Sequence, residues 1–380
     1  MTSPRTALLL SFVLPLVAGG VGAQQADVAA ANDRLAAQIE QRLERGVEEH
    51  AFPGAVCMVA RHGEPIVKLA VGKLTYEGDE PVTLTTRYDL ASLTKVCATT
   101  PAVLRLVAAG KLSLDDRIDK WVPAFKGAGK EHVTVRHLMA HQGGLSAYVR
   151  FYRTIEGKDT IVAAAAKEGL MSEPATGVRY SDLGFILLMA VVESCSGEPF
   201  EVFVQREVFA PFGMKRATFA PTDGEPLADA APTEQDEARG GVVRGFVHDE
   251  NAYAMGGVSG HAGLFAPADD ILRYGIALLK GGDGALPKEL VAKATRPVGL
   301  TDDTTRGLGY QLLTSGGYGG TEIPAGTFGH TGFTGTSLWC CPERDTCVVL
   351  LTNRVYPTRV NSKITAARRD VHDLVLAAVR

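Results

Sequence analysis

A serine and a lysine near residue 90 have the spacing of a nucleophile and its base. Ser92 and Lys95 are three positions apart at the predicted start of a helix, so their side chains share one face. A helix N-terminus offers free N–H groups and the positive end of the dipole. If burial or neighbouring cations lower the pKa of the lysine, its amine can accept the hydroxyl proton. The pair therefore indicates a nucleophile, although a helix cap can contain the same residues.

Two later segments contain groups that could assist such a nucleophile. Tyr180 and Asp182 come just before an apolar helix, and a tyrosine held near an ammonium can relay a proton. Residues 329–335 read Gly-His-Thr-Gly-Phe-Thr-Gly, and glycines at this density allow close approach of a ligand. His330 would add a positive group that titrates near neutral pH. Each segment alone also has a purely structural interpretation, as a capped aromatic contact or as a tight turn into a strand.

Taken together, the three segments occur in a characteristic order. Ser-x-x-Lys, Tyr-Ser-Asp and His-Thr-Gly follow one another as the motifs of penicillin-recognising serine hydrolases do. The chain therefore resembles the class C β-lactamase-like serine hydrolase and penicillin-binding protein family over about residues 33–380. Other segments that match the family pattern are 110–116, 137–145 and 211–214.

The resemblance implies a role for each matching residue. Ser92 would be the nucleophile that forms an acyl-enzyme, and Lys95 and Tyr180 would share the tasks of base and acid, in either assignment. The backbone N–H groups of Ser92 and Phe333 would form an oxyanion hole, which contributes ~10²–10³ in rate per donor. Asp182 would orient Lys95 and contact the substrate. The implied substrate-binding positions are Asp182, His330, Thr331, Gly332 and Phe333.

Two residues depart from the family pattern. His330 stands where β-lactamases usually carry lysine, which weakens the fixed cation near neutral pH. Asp182 stands where class C enzymes usually have asparagine, which adds negative charge beside the site. Both departures favour a D-alanyl-D-alanine carboxypeptidase-like peptidase or a small-ester esterase, with weak or no β-lactamase activity. Replacing His330 by lysine is then expected to raise the rate of acylation by penicillin.

Other functions stay open at this point. A true class C-type β-lactamase would carry the same motifs, and the same fold could serve a non-catalytic protein that binds peptidoglycan fragments. No Glu-x-x-x-Asn segment occurs between the second and third motifs, so the deacylation loop of class A enzymes is absent. The choice between amide, ester and β-lactam substrates depends on the shape of the cleft.

The segment 247–263 is unusually rich in polar groups and glycines. It resembles a stretch that borders the cleft in a penicillin-binding-protein-like subgroup. Asn251 and Tyr253 could contact the substrate there. A glycine-rich packing turn is the alternative interpretation.

Metal-dependent and α/β-hydrolase chemistry have little support in the sequence. His137 and His141 are four residues apart, as zinc ligands on one helix face would be. No His-Glu-x-x-His run accompanies them, and residues 141–144 look like a helix end. No Gly-x-Ser-x-Gly motif occurs, which excludes an α/β-hydrolase. We therefore expect neither a metal nor an organic cofactor.

The elements that must position these groups follow from hydrophobic periodicity. Spacings of three and four predict helices over 26–49, 88–109, 133–139, 182–194, 201–209, 268–280 and 366–379. Short apolar runs bounded by turn residues predict strands over 55–60, 66–71, 338–341 and 346–352. Residues 221–245 are polar and are predicted to form a long surface loop.

Because the strands lie near both ends of the chain and the helices in its middle, the predicted fold class is α+β, of the β-lactamase/transpeptidase-like type. An antiparallel sheet flanked by helices would come from about 33–85 and 266–380. A mostly helical lobe would come from about 86–265.

Composition and the N-terminus define the class of protein. The chain has 380 residues, 46% hydrophobic and 22% charged, which excludes a disordered chain. A net charge of −4 gives no electrostatic footprint for nucleic acid or an anionic membrane surface. Arg5, an apolar stretch over 7–17 and small residues up to Ala23 predict a signal peptide over 1–23, rather than a membrane anchor.

One hydrolase domain over 24–380 would then act on a small-molecule or peptidoglycan-peptide substrate. No cysteine follows the apolar stretch, so lipid attachment has no acceptor there. The mature protein is expected to be periplasmic or secreted, without stable membrane insertion. Six cysteines in an exported chain permit disulfides, and the predicted strands would bring Cys340 near Cys347. Cys57 could compete for either of them, and buried free thiols are also common.

Overall fold

The computed structural model describes residues 19–313, 320–321 and 323–379. Within them, eleven strands form three sheets. The strands are β1 Gly54–Arg61, β2 Glu64–Gly72, β3 Tyr88–Asp89, β4 Thr218–Phe219, β5 Gln235–Asp236, β6 Gly241–Val242, β7 Leu264–Ala266, β8 Gln311–Leu312, β9 Phe328–Thr331, β10 Ser337–Cys341 and β11 Thr346–Thr352.

The main sheet has six strands in the order β2-β1-β11-β10-β9-β8, and each of its five neighbouring pairs is antiparallel. Its strands come from the two ends of the chain, and the four predicted strands all belong to it. Every residue of β11 and all of β1 except Arg61 are buried, because helices cover both faces of the sheet. The predicted α+β fold is confirmed.

The described residues also form eleven α-helices, some of which cover the two faces of this sheet. They are α1 Gly19–Glu48, α2 Thr100–Ala108, α3 Ile118–Trp121, α4 Val135–Met139, α5 Lys158–Lys167, α6 Asp182–Ser196, α7 Phe200–Val204, α8 Glu250–Ala254, α9 Ala268–Leu279, α10 Lys288–Ala294 and α11 Ile364–Ala378. The α1 side chains Leu35, Ile39 and Leu43 recur at a spacing of four and pack with α11 on one face. Helix α9 packs on the other face, in one apolar cluster with α2 and α6.

The predicted helix over 88–109 is wrong at its start. Tyr88 and Asp89 form β3, which pairs with β7, and helical turns begin only after the nucleophile position. The Asp89 carboxylate accepts hydrogen bonds from the backbone N–H groups of Ala91 (2.8 Å) and His248 (2.7 Å). These contacts hold a turn that hydrophobic periodicity cannot reveal. After the helical residues 93–94, Lys95–Thr99 form a π-helical turn, a form often found at functional sites.

The predicted surface loop over 221–245 is partly wrong. It contains the small hairpin of β5 and β6, and Ala230, Ala231 and Thr233 within it are buried. The buried hydroxyl of Thr233 has a hydrogen-bond partner, because it donates to the carbonyl oxygen of Val243. Residues 230–234 of the segment are therefore packed inside the molecule, whereas most of its other residues are exposed or partly exposed.

The cysteine pair on adjacent strands lies where the strand pattern predicts. Cys340 is directly opposite Cys347 in the β10–β11 register, and their Sγ atoms are 3.9 Å apart. Both are free thiols, as are the other four cysteines. Cys57 does not compete with them, because it packs on the opposite face of the sheet.

Most of the predicted signal peptide, residues 1–18, lies outside the described residues. In the described part of the chain, no single helix is long and apolar enough to cross a membrane. Helix α6 and the segment Phe200–Phe209 together have the length and composition of a membrane span, but the chain bends by 77° between them.

Candidate active site

The turn before Ser92 is held by the third motif. Thr334 donates its hydroxyl hydrogen bond to the carbonyl oxygen of Asp89 (2.6 Å), and Thr336 donates to that of Leu90 (3.0 Å). Ala91 has φ +46°, a left-handed conformation that is unfavourable for a residue other than glycine. The threonines downstream of the His-Thr-Gly motif therefore fix the strained backbone that presents the Ser92 hydroxyl.

Gly332 shows how closely these two segments approach each other. A Cβ atom at this position would lie 2.1 Å from the Thr336 hydroxyl and 2.3 Å from the Leu90 carbonyl oxygen. Only a residue without a side chain fits there. The glycine of the third motif is thus required by packing against the segment that precedes the nucleophile.

Lys95 connects three parts of the site. Its buried ammonium lies 3.0 Å from the Ser92 Oγ, 2.9 Å from the carbonyl oxygen of His261 and 2.7 Å from the Asp182 Oδ1. An ammonium group has three donors, and these three oxygens match that number. Asp182 is the first residue of α6, so the N-terminus of this helix supplies the counter-charge.

The charge state of Lys95 follows from its surroundings. Complete burial acts to lower the pKa of Lys95, but the negative charge of Asp182, with a further contribution from Tyr180, outweighs burial and raises the pKa. Lys95 is therefore an ammonium group at neutral pH and donates to the Ser92 Oγ. The lowered lysine pKa that a lysine base requires is absent from this arrangement.

Tyr180 lies between aromatic rings and cations. Its ring centroid is 4.5 Å from that of His141 and 5.7 Å from that of His330. The Lys95 Nζ and the Arg306 Cζ lie 5.0 and 5.3 Å from the same centroid. The hydroxyl is buried and makes no hydrogen bond of good geometry with any residue that the structure describes. Tyr180 borders the same cleft as Ser92.

His330 is not the titrating cation that the sequence suggested. Burial, and then the charges of Arg306 and Lys95, hold the pKa of His330 well below its usual value, so its ring is neutral at neutral pH. Its Nδ1 donates to the Thr331 carbonyl oxygen (2.7 Å), and its Nε2 faces the Arg306 Nη1 at 3.4 Å. Arg306 thus supplies a fixed positive charge beside this position. No motif marks Arg306, and only the folded chain brings it to the third motif.

Two of the predicted substrate-binding positions, Asp182 and Phe333, line one cleft together with Ser92 and Tyr180. A cavity of about 640 Å³ is bordered by Ser92, Tyr180, Asp182 and Phe333, and the Phe333 side chain is 49% exposed. Gly332 and His330 are buried, and Thr331 is partly exposed; none of the three lines this cavity. Among the described residues, the backbone N–H groups of Ser92 and Phe333 donate to no other protein group. They are thus available as the expected oxyanion donors.

Asn251 and Tyr253 have different positions from those expected. Asn251 is fully buried; it donates to the Val149 carbonyl oxygen (2.8 Å) and accepts from the Tyr152 N–H (3.1 Å). Its predicted contact with substrate stays a prediction; in this structure both ends of its amide hold the segment at the mouth of the cleft. Tyr253 borders an adjoining cavity of about 890 Å³. The two cavities share Tyr152, Arg153, Glu250 and Arg359 at their boundary.

One group of side chains has the donors that a metal would need. Ligand atoms of Asp182, Asp249 and His261 lie within 4.8 Å of one another. Asp182 is paired with Lys95, and the His261 Nε2 is bonded to Asp249, so these atoms already have partners. His137 and His141 form no common site, because the Nδ1 of each accepts a different backbone N–H, that of Thr134 and that of Ser181. The expectation of a metal-free enzyme stays a prediction.

Comparisons with known proteins agree with this geometry. The family model described as Beta-lactamase matches residues 39–373. The chain is 33% identical over 356 residues to the "N-acetylmuramyl-L-alanine amidase" of Bacillus subtilis (strain 168), covering 83% of this chain and 80% of that protein. It is 32% identical over 342 residues to the "Putative D-alanyl-D-alanine carboxypeptidase" of Escherichia coli (strain K12), covering 80% of this chain and 79% of that protein.

Solved structures show the same fold. One is "EstCE1, a hydrolase with promiscuous acyltransferase activity", with a TM-score of 0.72 at 25% identity, covering 90% of this chain and 100% of that one. Another is the octameric penicillin-binding protein homologue from Pyrococcus abyssi, with a TM-score of 0.65 at 21% identity, covering 83% of this chain and 73% of that one. The second likeness concerns the fold alone.

Proposed function

Because this chain belongs to the Beta-lactamase family and is a serine hydrolase, we propose that it cleaves an amide bond in a peptidoglycan-derived peptide through an acyl-enzyme on Ser92. The observation that carries the proposal is the contact of one buried ammonium, that of Lys95, with both the Ser92 Oγ and Asp182. This contact orients the serine hydroxyl in a cleft that also contains Tyr180. The primary activity we propose is that of a D-alanyl-D-alanine carboxypeptidase.

The roles of base and acid follow from the charges in the site. Lys95 is an ammonium donor to Ser92, so we assign the proton acceptor to Tyr180, whose ring centroid lies 5.0 Å from the Lys95 Nζ and 5.3 Å from the Arg306 Cζ. The Ser92 Oγ attacks the amide carbon, its proton passes to Tyr180, and the oxyanion lies against the Ser92 and Phe333 N–H groups. Tyr180 then gives the proton to the leaving amine. Water hydrolyses the acyl-enzyme with Tyr180 again as the base.

The charge next to the cleft bears on the substrate. Arg306 supplies a fixed cation beside Tyr180 and His330, the position where the neutral imidazole provides none. A peptide with a free carboxylate next to the cleaved bond, as in a terminal D-alanine, complements this charge. The adjoining cavity of about 890 Å³ leaves room for a substrate that extends well beyond the reacting bond. Both features favour a peptide over a small neutral ester.

A second candidate activity comes from the relatives. The Bacillus subtilis relative at 33% identity is named as an amidase of N-acetylmuramyl-L-alanine, which is also an amide of peptidoglycan. The same serine chemistry would cleave that bond, with the sugar-linked acyl group held on Ser92. We further propose that the enzyme acts in the periplasm or outside the cell, which the predicted signal peptide and this class of substrate support.

A muropeptide assay tests the proposal and separates the two activities. The purified protein is incubated with an N-acetylmuramyl pentapeptide, and the products are identified by mass spectrometry. We expect release of D-alanine; release of the intact pentapeptide would support the amidase instead. Hydrolysis of small esters without any cleavage of the muropeptide would overturn the peptidoglycan substrate.

Covalent labelling tests the nucleophile. A fluorophosphonate should label the wild type and should leave Ser92→Ala unlabelled, whereas the exposed-site control Ser113→Ala should label normally. A fluorescent penicillin should label the wild type if the carboxypeptidase assignment is right. A non-catalytic binding protein would be labelled by neither reagent.

A further inference from the structure

A buried Ser–His–Asp chain lies directly behind the ammonium of Lys95. The Ser259 Oγ is 2.7 Å from the His261 Nδ1, and the His261 Nε2 is 2.9 Å from the Asp249 Oδ1. All three residues belong to the segment 247–263, whose function the acyl-enzyme chemistry does not explain. Ser259 and His261 are fully buried, so this serine cannot reach a substrate as a nucleophile.

The hydrogen bonds fix the imidazole at both nitrogens. With the proton on Nε2, the ring donates to Asp249, and the Ser259 hydroxyl donates to Nδ1, so each group has a partner. Asp249 also accepts the N–H of Ala252 and caps α8, which fixes the carboxylate in turn. The ring has a single orientation because rotation would break both bonds.

The fixed ring positions a backbone oxygen that Lys95 uses. The His261 carbonyl oxygen accepts a hydrogen bond from the Lys95 Nζ at 2.9 Å. Neighbouring bonds attach the same segment to the helix of Lys95: Thr99 donates to the Gly260 carbonyl oxygen (2.6 Å), and the Thr94 Oγ1 accepts the Leu264 N–H (3.1 Å). The segment is therefore a rigid platform under the ammonium.

The platform also places a second carboxylate near the ammonium. Burial acts to raise the pKa of Asp249, but its contacts with His261 and the Ala252 N–H, together with the charge of Lys95, outweigh burial and lower the pKa. Asp249 is thus ionised, and its ligand atoms lie within 4.8 Å of those of Asp182. Two carboxylates on different elements therefore support one ammonium.

We propose that His261 is a positioning residue for Lys95, held in place by Asp249 and Ser259, and that this chain aims the ammonium at the Ser92 Oγ. The inference rests on the proposed acyl-enzyme at Ser92. The charged and titratable groups around Lys95 are Tyr180 and Asp182 from the α6 segment, Asp249 and His261 from the platform, His141 after α4, His330 on β9, and Arg306.

The test compares variants of the platform by their rate of fluorophosphonate labelling. His261→Ala should reduce the second-order rate of labelling about 10²-fold, as a misplacement of ~1 Å in an active site can do. His261→Gln keeps an N–H that can reach Asp249 and should recover at least a tenth of the wild-type rate. Ser259→Ala, which removes one hydroxyl, should lower the rate several-fold.

The pH profile separates positioning from a structural effect. Asp249→Asn removes one of two carboxylates near Lys95, so the ammonium loses its proton more easily and the alkaline limb of the labelling rate should move to lower pH. His372→Gln changes another buried histidine, on α11, and should leave this limb unchanged. If His261→Ala does not fold, Ser259→Ala and Asp249→Asn decide the question.

Folded His261→Ala or Ser259→Ala protein with the wild-type rate and the wild-type pH profile would overturn the inference. Failure of the proposed function has a different signature, because the wild type itself would then not be labelled at Ser92.

Discussion

Replacing His330 by lysine would place an ammonium next to the guanidinium of Arg306. By resemblance to β-lactamases, this change should create the usual cation and raise acylation by penicillin. In the structure, however, the His330 Nε2 is already 3.4 Å from the Arg306 Nη1, and the side chain is only 4% exposed. The new ammonium would therefore lose most of its hydration and face a like charge. The structure predicts a destabilised protein with no faster acylation.

The magnitude follows from the separation of the two charges. Unit charges ~4 Å apart repel each other by about 4 kcal/mol at an effective dielectric constant of ~20. The lysine can escape this repulsion by losing its proton, which corresponds to a pKa lowered by about 3. A lowered folded-state pKa means that the unfolded chain binds more protons between the two values, so stability rises with pH in that range. His330→Lys should thus be about 4 kcal/mol less stable than wild type at pH 7, with most of this loss recovered near pH 10.

Urea unfolding at pH 7 and pH 10, together with the rate of labelling by fluorescent penicillin, checks this reasoning. His330→Gln is the matched control, because it is neutral and keeps a side-chain N–H, and it should show no such pH dependence. The double variant His330→Lys/Arg306→Gln removes the repulsion and should regain much of the stability. A stable His330→Lys protein with faster penicillin labelling would show that Arg306 does not occupy the cation position.

Two further changes test the packing and the electrostatics around the cleft. Gly332→Ala forces a Cβ atom to within 2.3 Å of the Leu90 carbonyl oxygen, so it should lower the free energy of unfolding by about 3 kcal/mol and slow labelling at Ser92. Gly169→Ala is the control, because nothing lies within 4 Å of its Cβ position, and it should change neither quantity. Urea unfolding measures the stability, and the labelling rate measures the reactivity of Ser92. At the adjoining cavity, burial opposes the charge of Glu234, but the hydrogen bond from His248 and the contacts of Arg359 lower its pKa from 4.5 to about 2. That carboxylate therefore stabilises the fold above pH 4.5, and this contribution is lost as the pH falls towards 2. Acid unfolding of the wild type should be steeper than that of Glu234→Gln, and parallel curves would contradict the assignment.

Hydrophobic periodicity and motif order predict the parts of this protein that local chemistry determines. The strands β1, β10 and β11 carry apolar runs because both of their faces are buried, and such runs are visible in the sequence. Strand β2 lies at the edge of the sheet, and only Val67 and Val71 in it are buried. Ser92, Tyr180 and Asp182 lie in motifs of fixed spacing, and the fold brings them to one cleft. The pattern was sufficient in these cases because each residue type is needed at its own position.

The parts that could not be predicted depend on partners far apart in the chain. Asp89 replaces an expected helical turn by a hydrogen-bonded one, and its second partner is 159 positions away, at His248. In the sequence, Asn251 cannot be distinguished from a polar residue that binds substrate. In the structure, its amide accepts from the Tyr152 N–H and donates to the Val149 carbonyl oxygen. Arg306 has no motif, since a cation can approach the third motif from any loop of suitable length.

The charges around Lys95 explain why an aspartate stands at position 182, where the family pattern led us to expect an asparagine. A single buried ammonium beside the fixed cation of Arg306 would tend to lose its proton. Asp182 at 2.7 Å and the ionised Asp249 behind His261 counter this tendency. An asparagine at position 182 would leave the ammonium with one carboxylate, so the lysine could more readily act as the base itself. In this chain aspartate replaces the expected asparagine at position 182, and histidine replaces the expected lysine at position 330. We interpret the two replacements as linked, because Arg306 then supplies the fixed cation and, in the proposed mechanism, Tyr180 transfers the proton.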